Sequence, residues 1–147
     1  MTIGYEGSTI GAVLDALLAA EVAVLIDVRA LPQSRKPGFS KRQLAAGLDE
    51  RGLRYVHFRD LGTPKPGRDA ARRGDVSTMH RVFAAQLATA AAQAALAEAI
   101  LVARNAPACL LCFEHDAASC HRSIVAGAIA GRTGQTIVHL NGRLLHG

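Results

Sequence analysis

The sequence predicts an α/β protein of three layers, an open and mainly parallel sheet of five strands with helices on both faces. Two runs, residues 22–28 and 109–113, are of strand length and almost wholly apolar, which marks parallel strands covered on both sides. Around them, shorter strand-like runs alternate with stretches whose apolar residues recur every three or four positions, the period of a helix. At 147 residues, half of them hydrophobic, the chain is expected to be a single domain, residues 1–147, with material for a full core. It has no Trp, so that core is built from Leu, Val, Ile and Ala.

Residues 2–5 form a brief first strand. Glu6, Gly7 and Ser8 turn the chain, and Ser8 or Thr9 caps a helix whose inner face is Ile10, Val13, Leu14, Leu17 and Leu18. The second strand, residues 22–28, ends on Asp27, Val28 and Arg29, and strand, helix and strand make a right-handed crossover. Pro32, Pro37 and Gly38 hold the next stretch in a loop, after which Ser40 caps a helix carrying Leu44 and Leu48 that stops near Gly52. Residues 53–58 are the third strand. Residues 59–75, with two Pro, three Gly and five Lys or Arg, read as a long exposed loop, a candidate flap. Residues 76–104 are one long or two shorter Ala-rich helices. The fourth strand, residues 109–113, runs through a polar loop into a helix marked by Ile124, Val125, Ala128 and Ile129, and residues 136–140 are the fifth, followed by a turn at Asn141 and Gly142. The expected strand order is 3-2-1-4-5, which puts a ligand at the carboxyl ends of strands one and four, where the order reverses.

Four side chains far apart in the chain then converge as candidate catalytic residues: Glu6, Asp27, Glu114 and Cys120. Glu6 and Glu114 would face each other, and two close carboxylates cannot both ionise easily, so one would serve as general acid or base; alternatively each binds loop backbone or an arginine. Asp27, inside an apolar run, either orients a catalytic group or ties down the loop after strand two. Cys120 stands where a helix begins, a position that favours thiolate, so it is a candidate nucleophile or redox thiol, or a half-buried residue fixing the loop. Arg29, past the end of strand two, and His121 and Arg122, at that helix start, are candidate binders of an anion, although Arg122 can equally lock the crevice by bonding Glu114 or Asp27.

Cys109 and Cys112 make a C-x-x-C pattern, but a separation of three in a strand sends them to opposite faces, which leaves Cys109 as core. Cys112, Cys120 and His121 or His115 do not have a standard zinc spacing, and neither a metal nor another cofactor is expected. His57, His80 and His139 read as ordinary core or rim residues.

The net charge of +5 comes from seventeen Lys and Arg, all but three of them Arg, against twelve acids. Arg suits planar contact with phosphate or carboxylate, so an anionic small molecule or nucleic acid is the expected partner; an Arg-rich surface without a ligand has the same composition. Three Cys is an odd number, no stretch resembles a signal peptide, and the longest uncharged window, residues 82–97, is too short and too polar to cross a bilayer. A cytoplasmic location with reduced thiols and no membrane partner follows as the expectation.

Taken in order, Thr2-Ile3-Gly4-Tyr5-Glu6-Gly7, Asp27-Val28-Arg29 followed by Pro32 and Ser34, Phe39-Ser40, Leu61-Gly62, Leu111-Cys112-Phe113-Glu114 and Cys120-His121-Arg122 resemble the domain of unknown function 488 family over essentially the whole chain. The resemblance implies that Glu6, Asp27, Arg29, Glu114, Cys120, His121 and Arg122 are signature positions, and it implies no reaction. Many members carry a second Gly after Leu-Gly, whereas Thr63-Pro64 follows here. A fainter likeness, through Leu25-Ile26-Asp27-Val28-Arg29 and a Cys-bearing strand, is to rhodanese-like sulfurtransferases and related phosphatases, in which Cys112 would hold the place of the nucleophile. The leading expectation is a small enzyme acting on an anionic substrate, nucleotide or nucleic-acid-like. Its alternatives are a non-catalytic nucleic-acid-binding module using the basic stretches 29–42 and 59–73, a sulfurtransferase or phosphatase, and a scaffold domain.

Overall fold

In the computed structural model, which describes residues 1–143, the sheet is five-stranded and parallel throughout. In chain order the elements are β1 (Thr2–Gly4), α1 (Ile10–Ala19), β2 (Val24–Asp27), α2 (Lys41–Asp49), β3 (Arg54–His57), α3 (Lys65–Arg72), α4 (Val76–Leu87), α5 (Ala90–Asn105), β4 (Ala108–Cys112), α6 (Arg122–Thr133) and β5 (His139–Asn141). Short 3₁₀ turns stand at Arg59–Leu61 and Ala117–Ser119.

Helices cover both faces. On one, Leu25, Cys109, Leu111 and Ile3 pack against Val13, Leu17, Leu44 and Leu48 of α1 and α2. On the other, Ile26, Leu110 and Cys112 pack against Phe83, Leu96, Val125 and Ile129 of α4, α5 and α6. Each such Leu, Ile or Val contributes roughly 1.5–3 kcal/mol by leaving water. Cys109 and Cys112 lie on opposite faces, as their spacing requires.

Two expectations are corrected. The strand order is β3-β2-β4-β1-β5 rather than 3-2-1-4-5, so β4 takes the centre and β1 moves outward beside β5. Of the two candidates, the five-residue Ala-Cys-Leu-Leu-Cys strand is the one that can bury apolar side chains on both faces along its length; the three-residue β1 brings Thr2, whose hydroxyl is met by Arg122 and His139. The exchange leaves the carboxyl ends of β2, β4 and β1 side by side, with Leu111 paired to both Asp27 and Ile3. Residues 59–75 are largely helical, not an open loop. Pro66 falls in the first turn of α3, where its missing N–H removes no helix bond, and Gly67 is needed for contact: a Cβ there would come within 2.2 Å of Thr63 Cγ2. Residues 76–104 resolve into two helices because Thr89 caps the second through its side chain.

No single helix among the described residues is long and apolar enough to cross a membrane; α4 and α5 pass only as a pair, bent by 87°.

Candidate active site

A cavity of about 370 Å³ opens at the carboxyl edge of the sheet, above the ends of β2 and β4 and closed on the far side by α3. Cys112, Glu114 and His121 line one wall, Arg68, Arg72 and Thr63 the other, with Tyr5 and Arg29 between them.

The end of β2 is a buried ion pair. Asp27 is fully buried and takes the Arg29 backbone N–H on Oδ1 at 3.0 Å, while the Arg29 guanidinium bonds both carboxylate oxygens at 2.7–3.1 Å. Tyr55 donates its hydroxyl to Asp27 Oδ2 as well. Nη1 of Arg29 bonds the Phe39 carbonyl at 2.7 Å and the Tyr5 hydroxyl at 3.3 Å. Burial alone would lower the Arg29 guanidinium, but the bonds and charge of Asp27 outweigh it and raise it above its ordinary value. Burial raises the Tyr55 phenol, and its bond to Asp27 acts the same way.

The end of β4 is different. His121 Nε2 lies 2.7 Å from the Val28 carbonyl, which can only accept, so Nε2 carries a proton and Nδ1 faces two sulfurs, Cys112 Sγ at 3.6 Å and Cys120 Sγ at 3.9 Å. The Cys112 thiol also reaches Glu114 Oε2 at 3.2 Å. Phe83 packs on the imidazole at 4.9 Å between ring centres. Burial alone would lower His121, but its contact with Cys120 and its bond to Val28 leave it raised.

Cys120 lies deeper than its neighbours in the loop. It is buried and precedes α6, whose first residue is Arg122, and burial pushes its thiol well above the ordinary range, with Cys112 pushing the same way. Burial thus works against the thiolate that a helix start favours.

Arg122, fully buried, reaches under the loop: Nε donates to Thr2 Oγ1 at 3.2 Å, Nη1 to the Glu114 carbonyl and Nη2 to the His115 carbonyl at 3.0 Å. Gly4 makes room for that loop, since a Cβ there would sit 1.8 Å from the Glu114 carbonyl oxygen. Glu6 is exposed and accepts the His115 backbone N–H at 3.1 Å, so it joins the Glu114 loop through the main chain.

Of the residues singled out from the sequence, Glu114, His121 and Arg29 line the cavity, while Asp27, Cys120 and Arg122 form its support and Glu6 lies outside the lining. Two lining residues carried a signal that went unused: Arg68 and Arg72 are four apart, which on a helix means one face. Cys112, the last residue of β4, is read from the sequence as a nucleophile only in the sulfurtransferase or phosphatase alternative. Thr63 also belongs to the lining, with its hydroxyl oxygen shut off from solvent and without a hydrogen-bond partner among the described residues.

No curated protein and no solved structure matches the chain. A family model, described as Domain of unknown function DUF488, matches residues 9–129. That span takes in β2, β4, the thiol and imidazole cluster and α3, and the chain therefore belongs to the DUF488 family.

Proposed function

We propose that this chain is a small cytoplasmic enzyme acting on an anionic substrate, nucleotide or nucleic-acid-like, in the crevice over β2 and β4. The observation that carries the reading is how the cavity divides its chemistry. Arg68 and Arg72 stand on one wall with donors to spare: Arg68 gives one bond to the Thr63 carbonyl, and Arg72, largely exposed, makes only a 3.5 Å contact with Asp69. Cys112, Glu114 and His121 stand on the other, where protons can be given and taken. Cations on one side and an acid–base group on the other suit an anion held by one end and reacted at the other.

In this reading Glu114 moves the proton, and His121 holds its place on the wall through its bond to the Val28 carbonyl. Asp27, Arg29 and Arg122 hold the walls, and Glu6 fixes the loop that carries Glu114. The test is binding of a nucleoside 5′-monophosphate and of a 5′-phosphorylated single strand at low salt, by calorimetry. Arg68→Ala with Arg72→Ala is expected to weaken both by about tenfold or more at unchanged thermal stability. Wild-type protein that binds neither probe would refute the reading. Binding of the strand alone, steeply weakened by salt and indifferent to Glu114→Gln in every assay of turnover, would instead favour the nucleic-acid-binding module.

One observation favours a second reading, thiol chemistry of the sulfurtransferase or phosphatase kind: the Cys112 sulfur at a strand end, 3.6 Å from the Nδ1 atom of His121. That reading requires Cys112 to alkylate faster than a free cysteine and to be shielded by the phosphate probes.

A further inference from the structure

We propose that Cys112, Cys120 and His121 are the ligands of a zinc(II) ion at the floor of the crevice. The proposal deepens the reading of that crevice as a reaction centre and rests on it for the role of the metal, though not for the site itself.

The three donor atoms lie within 4.8 Å of one another, and all three residues are buried. In a tetrahedral site with Zn–S near 2.3 Å and Zn–N near 2.05 Å, neighbouring sulfur and nitrogen ligands are separated by about 3.6 Å. The sulfur-to-Nδ1 separations of 3.6 and 3.9 Å already match that edge. Adjacent residues seldom point at one ion, but here the backbone makes it possible: Cys120 is extended (φ −125°, ψ 143°) and His121 helical (φ −63°, ψ −18°). The bend between them brings both side chains to the same place.

The imidazole is also prepared as a ligand. Metal-bound histidine usually donates its other ring N–H to a carbonyl or carboxylate, which fixes ring and tautomer, and His121 Nε2 does so to Val28 at 2.7 Å. Two thiolates and one imidazole form a soft set that selects zinc over magnesium or calcium. The balance is simple: two S–H bonds break, two Zn–S bonds form, two protons leave to solvent, and Nδ1 contributes its lone pair. The resulting centre is neutral and does not repel the anion that Arg68 and Arg72 attract. Because Cys112 and His121 both line the cavity, a fourth ligand has a way in, and Glu114, 3.2 Å from the Cys112 sulfur, stands beside that way as the group to take a proton from bound water.

Zinc motifs in a sequence are commonly read as knuckles within one loop. Here one ligand ends β4 and the other two precede α6, and it is the sheet and helix that unite them.

The experiment is titration of the 147-residue chain with zinc(II), under a non-thiol reductant, in competition with a chromophoric chelator, and in parallel with cobalt(II) as a spectroscopic probe. One equivalent of metal per chain is expected, with a thiolate-to-cobalt band in the near ultraviolet and tetrahedral visible bands. Cys112→Ser and Cys120→Ser should each weaken zinc by at least about tenfold. Cys109→Ser, on the opposite face of the sheet, should leave it unchanged. Should the serine variants fail to fold, the wild-type cobalt spectrum decides alone: substoichiometric uptake, or uptake without the thiolate band, overturns the site. Loss of phosphate binding in the arginine double variant together with no zinc uptake overturns the metal and spares the anion site. Zinc uptake with no phosphate binding by wild type supports the metal site and overturns the anion reading.

Discussion

The ends of β2 and β4 are neighbours in the sheet and equally rich in chemical groups, yet they are built differently. At β2 both oxygens of Asp27 are taken, and every nitrogen of the Arg29 guanidinium has a partner within 3.3 Å. At β4 two thiols and one imidazole nitrogen share long contacts, with a carboxylate beside them and a cavity above. A charged pair in which every nitrogen and oxygen already has a partner is a fixture of the fold. The place with donors and acceptors left over is where a ligand can be taken up.

The difference can be broken most forcefully at Asp27. Asp27→Ala leaves the Arg29 charge buried without its partner and is expected to cost about 3–5 kcal/mol in urea unfolding; a cost below about 1 kcal/mol would mean that the β2 end is not the fixture described here. Tyr55→Phe removes a single bond to the same carboxylate and should cost about 1–2 kcal/mol. By contrast, Glu114→Gln, at a half-buried position on the cavity wall, should move stability by no more than about 1 kcal/mol while abolishing turnover of whatever substrate is found. A large loss of stability there would erase the contrast.

Thiol titration gives a finer cut. Burial pushes Cys109 up to about 12 and Cys120 well above its ordinary value, so both hold their protons more tightly folded than unfolded. Their contribution to stability is complete below the unfolded thiol value of about 8.5 and is lost as pH rises through their folded values. The urea midpoint should therefore fall between pH 8 and pH 10 by more in wild type than in Cys109→Ala. Smallest is the kinetic effect: peptide mapping after iodoacetamide treatment at pH 7, without metal, should show Cys120 labelled more slowly than a free cysteine. Fast labelling would restore the expectation of a thiolate.

Layering and strand number were legible because runs such as Cys109–Leu110–Leu111–Cys112 have no other stable home than a covered parallel strand. Order was harder. Which of β1 and β4 sits centrally depends on how Thr2 and Gly4 are met by Arg122 and Glu114, contacts 120 and 110 residues away along the chain. Helix α3 was hidden because Pro64, Pro66 and Gly67 are breakers in general and harmless here, at a cap, in a first turn and at a close contact. The site was legible as a neighbourhood, since Glu114, Cys120 and His121 are close in sequence. Its members could not be sorted into wall and support without knowing burial: Cys112 proved to face the cavity, and Cys120 to stand beneath it.

Arg122 ties the first strand, the 114–115 backbone and the last helix together through three directed bonds, in a spot where Gly4 leaves no slack. A ledge riveted in this way cannot yield to an incoming molecule. Accommodation falls to the opposite side, to the short helix bearing Arg68 and Arg72, which rests on its neighbour by small residues such as Ala70 and Gly67. Differences in ligand preference among relatives should accordingly be written in that helix rather than in the Cys-His-Arg segment.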